Sequence, residues 1–297
     1  MNTFSNNLKT WTLMAALAGI LVAVGGLLGG QTGMVMAFGL ALLMNGFVYW
    51  KSDSLALRAN GARELAPGEQ PELRAMVGLL AERAGVPEPR LYIVERPEPN
   101  AFATGRDPQH AAVAVTTGLL EIMDTRQLAG VLAHELSHVK NRDTLVGTVA
   151  ATIGGAVSFL TQMGQFQLIF GGGDEENQNP MLALAAIILA PLAAMIIQLA
   201  VSRSREYLAD TTGASLTGDP EGLAQALEQL GAHQDRGLLG RLRGRRDEPV
   251  RQENPAFGHL WIVSPLAGSS MASLFATHPP LEDRVRRLRS MVLRRAA

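Results

Sequence analysis

Apolar and charged positions along this chain fall into blocks. Residues 10–50 contain no Asp, Glu, Lys or Arg, and residues 144–201 contain only Asp174, Glu175 and Glu176. A helix crossing about 30 Å of hydrocarbon needs roughly 20 apolar residues. The first block therefore predicts two spans, near residues 11–29 and 34–50, joined by a turn at Gln31, Thr32 and Gly33. The second predicts a span over 181–201, kinked near Pro191, preceded by one over about 144–170 that carries Gln162, Gln165 and Gln167. Lys9 before an apolar run also fits a cleaved signal peptide, but a second apolar run follows with no charged sequence between the two.

Between and after these blocks the pattern is that of a soluble domain. Leu73, Met76, Leu79 and Leu80 predict a helix over 71–84, and short apolar runs predict strands at 91–94 and 111–115. Asp124 with Gln127 has the form of a helix N-terminal box, opening a helix that carries Leu128, Leu132 and Leu136. A further helix starts at Asp219-Pro220 and runs through Leu230; residues 233–254, rich in Gly and Arg, read as a loop. Its Arg236, Arg241, Arg243, Arg245 and Arg246 either face solvent or touch anionic lipid headgroups. The last helix, over 281–293, is amphipathic and follows Pro279-Pro280.

The expected architecture is a mainly α membrane protein with four transmembrane helices and a small β-sheet. Residues 1–50 form one hairpin and residues 144–201 a second, inserted between the two parts, 51–143 and 202–297, of a single soluble domain. Lys9, Lys51, Arg58, Lys140, Arg142, Arg203 and Arg205 flank the spans on the side of the soluble mass, whereas residues 171–180 have no basic residue. By the positive-inside rule the soluble domain and both termini of this integral membrane protein face the cytoplasm. A formal charge of -1 gives no field that would draw nucleic acid, and the absence of cysteine leaves His and carboxylates as the only ligands for a metal.

The chemistry centres on His134-Glu135-Leu136-Ser137-His138 within the helix that begins near Thr125. Positions four apart lie one turn along the same helix face, so both imidazoles can reach one ion while Glu135 is offset enough to act as general base. Catalytic zinc takes three protein ligands, which calls for a third. The stretch SRSREYLAD over 202–210 supplies Glu206, with Asp210 four residues on, where it can accept a hydrogen bond from a ligating imidazole. The plainer reading of these acids is pairing with Arg203 or Arg205. His110, His233 and His259 have no helical partner and read as surface or packing residues. A strand over 111–117 is either an ordinary core strand or a sheet edge beside the zinc helix, open to strand addition by an extended polypeptide.

With these motifs in hand, the chain resembles the HtpX-type membrane zinc metallopeptidases, relatives of the CAAX prenyl proteases. The resemblance covers nearly the whole length. It rests on the N-terminal apolar hairpin, the segments NAFATG at 100–105 and AVAVTTGL at 112–119, HELSH, SREYLAD, NPAF at 254–257 and THPPLE at 277–282. It implies a bacterial cytoplasmic membrane as the location, and a gluzincin-like zinc protease domain with one zinc ion held by His134, His138 and Glu206, Glu135 as general base and Asp210 behind the ligands. By resemblance alone, His278 is a hydrogen-bond donor to the tetrahedral intermediate and Asn100 a contact to the substrate backbone.

The function so implied is hydrolysis of misfolded or damaged membrane proteins on the cytoplasmic side, in quality control that other proteases share. Two alternatives stand beside it: processing of a specific lipidated or signal-peptide-like substrate, and a non-catalytic zinc-binding membrane scaffold.

Overall fold

The computed structural model describes residues 3–147, 149, 203–242 and 279–296. All but the first few residues of the predicted second hairpin, most of the Arg-rich segment, the NPAF motif and His278 lie outside these residues. Helix α1, Thr3–Ala59, is helical throughout by hydrogen bonding, yet it is not straight. At about 1.5 Å per residue, Trp11 and Tyr49 would stand about 57 Å apart on a straight rod; their rings stack with centroids 6.3 Å apart. Asn45 Nδ2 likewise donates to the Met14 carbonyl at 3.0 Å. The chain reverses at Gly30, whose φ of 58° is a left-handed conformation open to glycine. The turn thus falls just before the Gln31-Thr32-Gly33 expected from sequence, because left-handed backbone favours the residue without a Cβ.

The second arm, Gly30–Ala59, is long and apolar enough to cross a membrane, and only 11% of its apolar window is buried inside the protein; the first arm holds a shorter apolar helix, Thr10–Ala23. Met34, Val35, Met36, Phe38, Leu42 and Leu43 are all exposed on it. A contiguous apolar surface of this kind belongs in lipid. Where the arms come together, Leu13, Met14, Leu17 and Val48 pack with Leu145, Val146 and Val149 from the start of the second apolar block.

Four strands form a small mixed sheet: β1 (Arg63–Glu64), β2 (Arg90–Val94), β3 (Ala101–Thr104) and β4 (Ala112–Thr116), in the order β1-β2-β4-β3. β2 and β4 are parallel, joined through β3 and a short turn, and β3 pairs antiparallel with β4. This corrects one sequence reading. The run at 112–116 is an interior strand, buried on both faces as its unbroken apolar pattern allows, and the edge on that side is β3.

Helices α2 (Pro71–Ala84), α3 (Thr117–Ile122), α4 (Thr125–Asn141), α5 (Arg203–Thr217), α6 (Pro220–Leu242) and α7 (Leu281–Ala296) complete the described fold. α6 continues well past Leu230, through positions assigned to a loop from their lack of apolar period. α4 is the central element. Its Val131, Leu132 and Leu136 are fully buried in one cluster with Val77 of α2, Val113 of β4, Leu227 of α6 and Leu288 of α7. Its start is fixed as predicted: Asp124 accepts from the Arg126 and Gln127 N–H groups, both at 2.8 Å, and Gln127 Oε1 accepts from the Asp124 N–H at 3.0 Å.

α5 approaches α4 so closely that no side chain fits between them at Gly213. A Cβ there would stand 2.9 Å from the His134 backbone nitrogen. The glycine is what lets α5 bring Glu206 up to His134 and His138.

Candidate metal centre

The buried face of α4 carries His134 and Glu135, with His138 one turn on and partly exposed. Glu206 comes from the first turn of α5 and is also buried. His134 Nε2 lies 3.2 Å from His138 Nε2, and the Glu206 oxygens lie 3.6 Å from His134 Nε2 and 3.8 Å from His138 Nε2. Two donors each about 2.0–2.1 Å from one zinc ion at a tetrahedral angle stand about 3.3 Å apart. The spacing of the three groups is therefore that of a set sharing one divalent ion, and one donor atom from each falls within 4.8 Å of the others.

The remaining imidazole nitrogens are each held by a carboxylate. Asp210 Oδ1 is 3.0 Å from His134 Nδ1, as expected from its place one turn after Glu206. Asp143 Oδ1 is 3.1 Å from His138 Nδ1. These contacts leave both Nε2 atoms for the ion and raise the basicity of the rings. Asp143 was not foreseen. It stands just after Arg142, whose φ of 54° ends α4 and turns the chain back toward His138. The carboxylate arrives through that turn rather than through helical spacing.

Arg284 was also missed. It is fully buried and grips Asp210 with two bonds, Nη2 to Oδ1 at 2.7 Å and Nε to Oδ2 at 2.9 Å. Its Nη2 also lies 3.4 Å from both ring nitrogens of His134, and its Nη1 is 3.9 Å from Glu206. A signal for it exists in the sequence: Leu281, Val285 and Leu288 mark the inner face of α7, and Arg284 falls on that same stripe.

The electrostatics follow from this packing. Burial works against charge on His138, but the Asp143 carboxylate beside it wins and its pKa is pushed up to about 10. His134 is likewise raised, burial being overcome by Asp210 and Glu206. Burial would raise the Asp210 carboxyl, but Arg284 holds it down to about 2. Glu135 is raised, chiefly by burial, and its Oε2 accepts from the Ala103 N–H of β3 at 2.8 Å.

That last bond shows how the sheet edge meets the site. The Thr116 N–H donates to the Asn100 carbonyl at 2.9 Å. With the observed register, hydrogen-bonded pairs then fall at Phe102/Ala114 and Thr104/Ala112, so the backbone polar groups of Ala101 and Ala103 point away from β4. Asn100 is buried immediately before this edge strand. Of the residues singled out from sequence, the structure brings together His134, Glu135, His138, Glu206 and Asp210. Asn100 lies at the start of the neighbouring strand.

A buried helix pair presenting two imidazoles and a carboxylate to one point, with a second carboxylate beside them, defines a metal-dependent hydrolase of the HExxH kind. Comparison with known proteins agrees. A model of Peptidase family M48 matches residues 67–292. A protein described as "Protease HtpX homolog" from Persephonella marina is 50% identical over 293 residues, covering 97% of this chain and 98% of its own. One of the same description from Pyrococcus furiosus is 49% identical, covering 96% of each. Among solved structures, S. mikatae Ste24p gives a TM-score of 0.51 at 18% identity over 96% of this chain and 66% of its own, a likeness of fold. The chain belongs to peptidase family M48, and it is a metalloprotease.

Proposed function

We propose that the chain is a zinc endopeptidase working at the cytoplasmic face of a membrane, where it cuts misfolded or damaged membrane proteins. The observation that carries the reading is the meeting of Glu135 with the outward-facing backbone of β3, beside the three-ligand set. An edge strand next to the general base is suited to an extended polypeptide. Main-chain bonds to the outward N–H and carbonyl of Ala101 and to the carbonyl of Ala103, whose N–H is held by Glu135, would supply affinity with little demand on sequence.

His134, His138 and Glu206 would hold the metal, which when bound supplies Lewis acidity and lowers the pKa of water. Asp143 and Asp210 keep the imidazoles in the tautomer that offers Nε2. Glu135 takes the proton from the attacking water and hands it to the leaving amine, a task its burial suits by raising its affinity for a proton. Asn100, just ahead of the edge strand, is proposed as a contact to substrate backbone and His278 as a donor to the developing oxyanion. Charge flanking the apolar blocks supports the cytoplasmic orientation and four spans, with the domain halves 51–143 and 202–297 joined around the second hairpin.

Replacing Glu135 with Gln in full-length, detergent-solubilised protein tests the chemistry: metal content stays at one ion per chain while cleavage of an unfolded, lipid-free protein falls by at least a thousandfold. Cleavage persisting in Glu135→Gln would remove Glu135 from its role. A strict requirement for a lipidated cysteine in the substrate would replace quality control with dedicated processing.

A further inference from the structure

Where the second arm of α1 leaves its apolar stretch, a cleft of about 380 Å³ opens between that arm, the start of β2 and the loop following β3. Its level relative to a bilayer is marked twice over. Lys51 is the first charged residue after Lys9. At the same height Trp11 stacks on Tyr49, and Tyr49 meets Trp50 edge-on at 5.6 Å, an aromatic cluster of the kind found at headgroup depth. Trp50 forms one wall of the cleft, and the Arg106 guanidinium is held over its ring at 4.8 Å.

The charges lining the cleft are only partly matched. Arg90 is satisfied by Asp53 at 2.6 Å. Arg106 lies 3.5 Å from Asp107, which also takes the His110 ring at 2.7 Å. Lys51 and Glu88 have no ion-pair partner among the described residues, and both line the cleft. An unmatched ammonium and an unmatched carboxylate face one polar space beside an arginine fixed on an aromatic wall.

We propose that this cleft binds the phosphoethanolamine headgroup of a membrane lipid, with the phosphate on Lys51 and Arg106 and the amine on Glu88. The inference rests on the reading of the second arm as a membrane span. It links lipid to the catalytic face through the chain: the loop carrying Arg106 continues directly from β3, and Thr144 Oγ1 fastens its first residue by donating to the Gly105 carbonyl at 2.8 Å. A headgroup held there fixes the far end of the edge strand.

The test uses full-length Glu135→Gln protein, stripped of lipid in detergent and titrated by native mass spectrometry with phosphatidylethanolamine, phosphatidylglycerol or inorganic phosphate. One phosphatidylethanolamine binds in preference to both. The double variant Lys51→Gln/Arg106→Gln weakens it about thirtyfold, the product of two basic contacts at a lipid surface. Glu88→Gln abolishes the preference for ethanolamine over glycerol while still binding lipid, a change that misfolding does not imitate. Unchanged binding in the double variant, equal affinity of the parent for the two lipids, or inorganic phosphate binding as tightly as lipid each overturn the proposal. Alkaline extraction of membranes separates the two levels: protein that stays in the pellet keeps the span and leaves the lipid titration to decide the cleft, and protein that is released removes both.

Discussion

Adding one methyl group at Gly213 tests how Glu206 is brought beside His134 and His138. The new Cβ would stand 2.9 Å from the His134 nitrogen and 3.1 Å from the Ala133 carbonyl carbon and the His134 Cα, all backbone atoms that cannot rotate away. Ordinary contact needs about 3.4–4 Å, so α5 must move from α4 by roughly 0.5–1 Å. Glu206 lies seven residues earlier on the same face of α5, two turns from the wedge. The Glu206 spacings of 3.6 and 3.8 Å therefore widen, whereas a metal site tolerates about 0.2 Å. Gly213→Ala should cost about 1–3 kcal/mol of stability as an overpacked interface and lower metal affinity at least tenfold. Thermal unfolding in detergent and competition with a chromophoric chelator measure the two. Gly78 of α2 is the control: the nearest atom to a Cβ there is 3.5 Å away, on the flexible Glu88 side chain. Gly78→Ala should stabilise by about 0.5–1 kcal/mol and leave metal binding alone. Metal affinity of Gly213→Ala within twofold of the parent would refute the wedge argument.

Arg284→Met leaves Asp210 buried without its cation, at an expected cost of about 3–5 kcal/mol. The double variant with Asp210→Asn recovers a large part of that, and strictly additive unfolding energies would show that the two do not act as a pair. Asp143→Ala should weaken metal binding by about 10–100-fold, read by the same chelator competition. In metal-free protein the His138 pKa is raised to about 10. The stabilisation from its pair with Asp143 is thus fully present below about pH 6.5, the unfolded value, and is lost as pH rises through about 10. Metal must displace the proton of His138, so its affinity climbs with pH over the same window. Titration with zinc in weak buffer at pH 7 should release at least one proton per ion, and a release of none contradicts this shift.

The proposed ligand set was legible because each part of it obeys helical spacing: His134 and His138 on one turn, Glu206 and Asp210 on another. The α4 capping box and the 71–84 helix were legible for the same reason, being local. What escaped depends on contacts between distant segments. Asp143 reaches His138 only through the left-handed turn at Arg142, and Arg284 meets Asp210 across 74 positions of chain. The identity of the edge strand could not be read from residues 101–104 and 112–116, because both are short and apolar. Pairing order, not composition, decides which of them lies outside. The extra length of α6 beyond Leu230 was hidden because its sequence there, rich in Gly and Arg, carries no hydrophobic period.

The dependence of Asp210 on Arg284 has a bearing on biosynthesis. A chain emerging from the ribosome exposes HELSH long before SREYLAD, and reaches α7 later still. Until then the buried acid behind His134 has no counter-charge, so the centre is assembled last and a half-made enzyme is unarmed. Peptide cleavage in this way waits until α7 has docked behind His134.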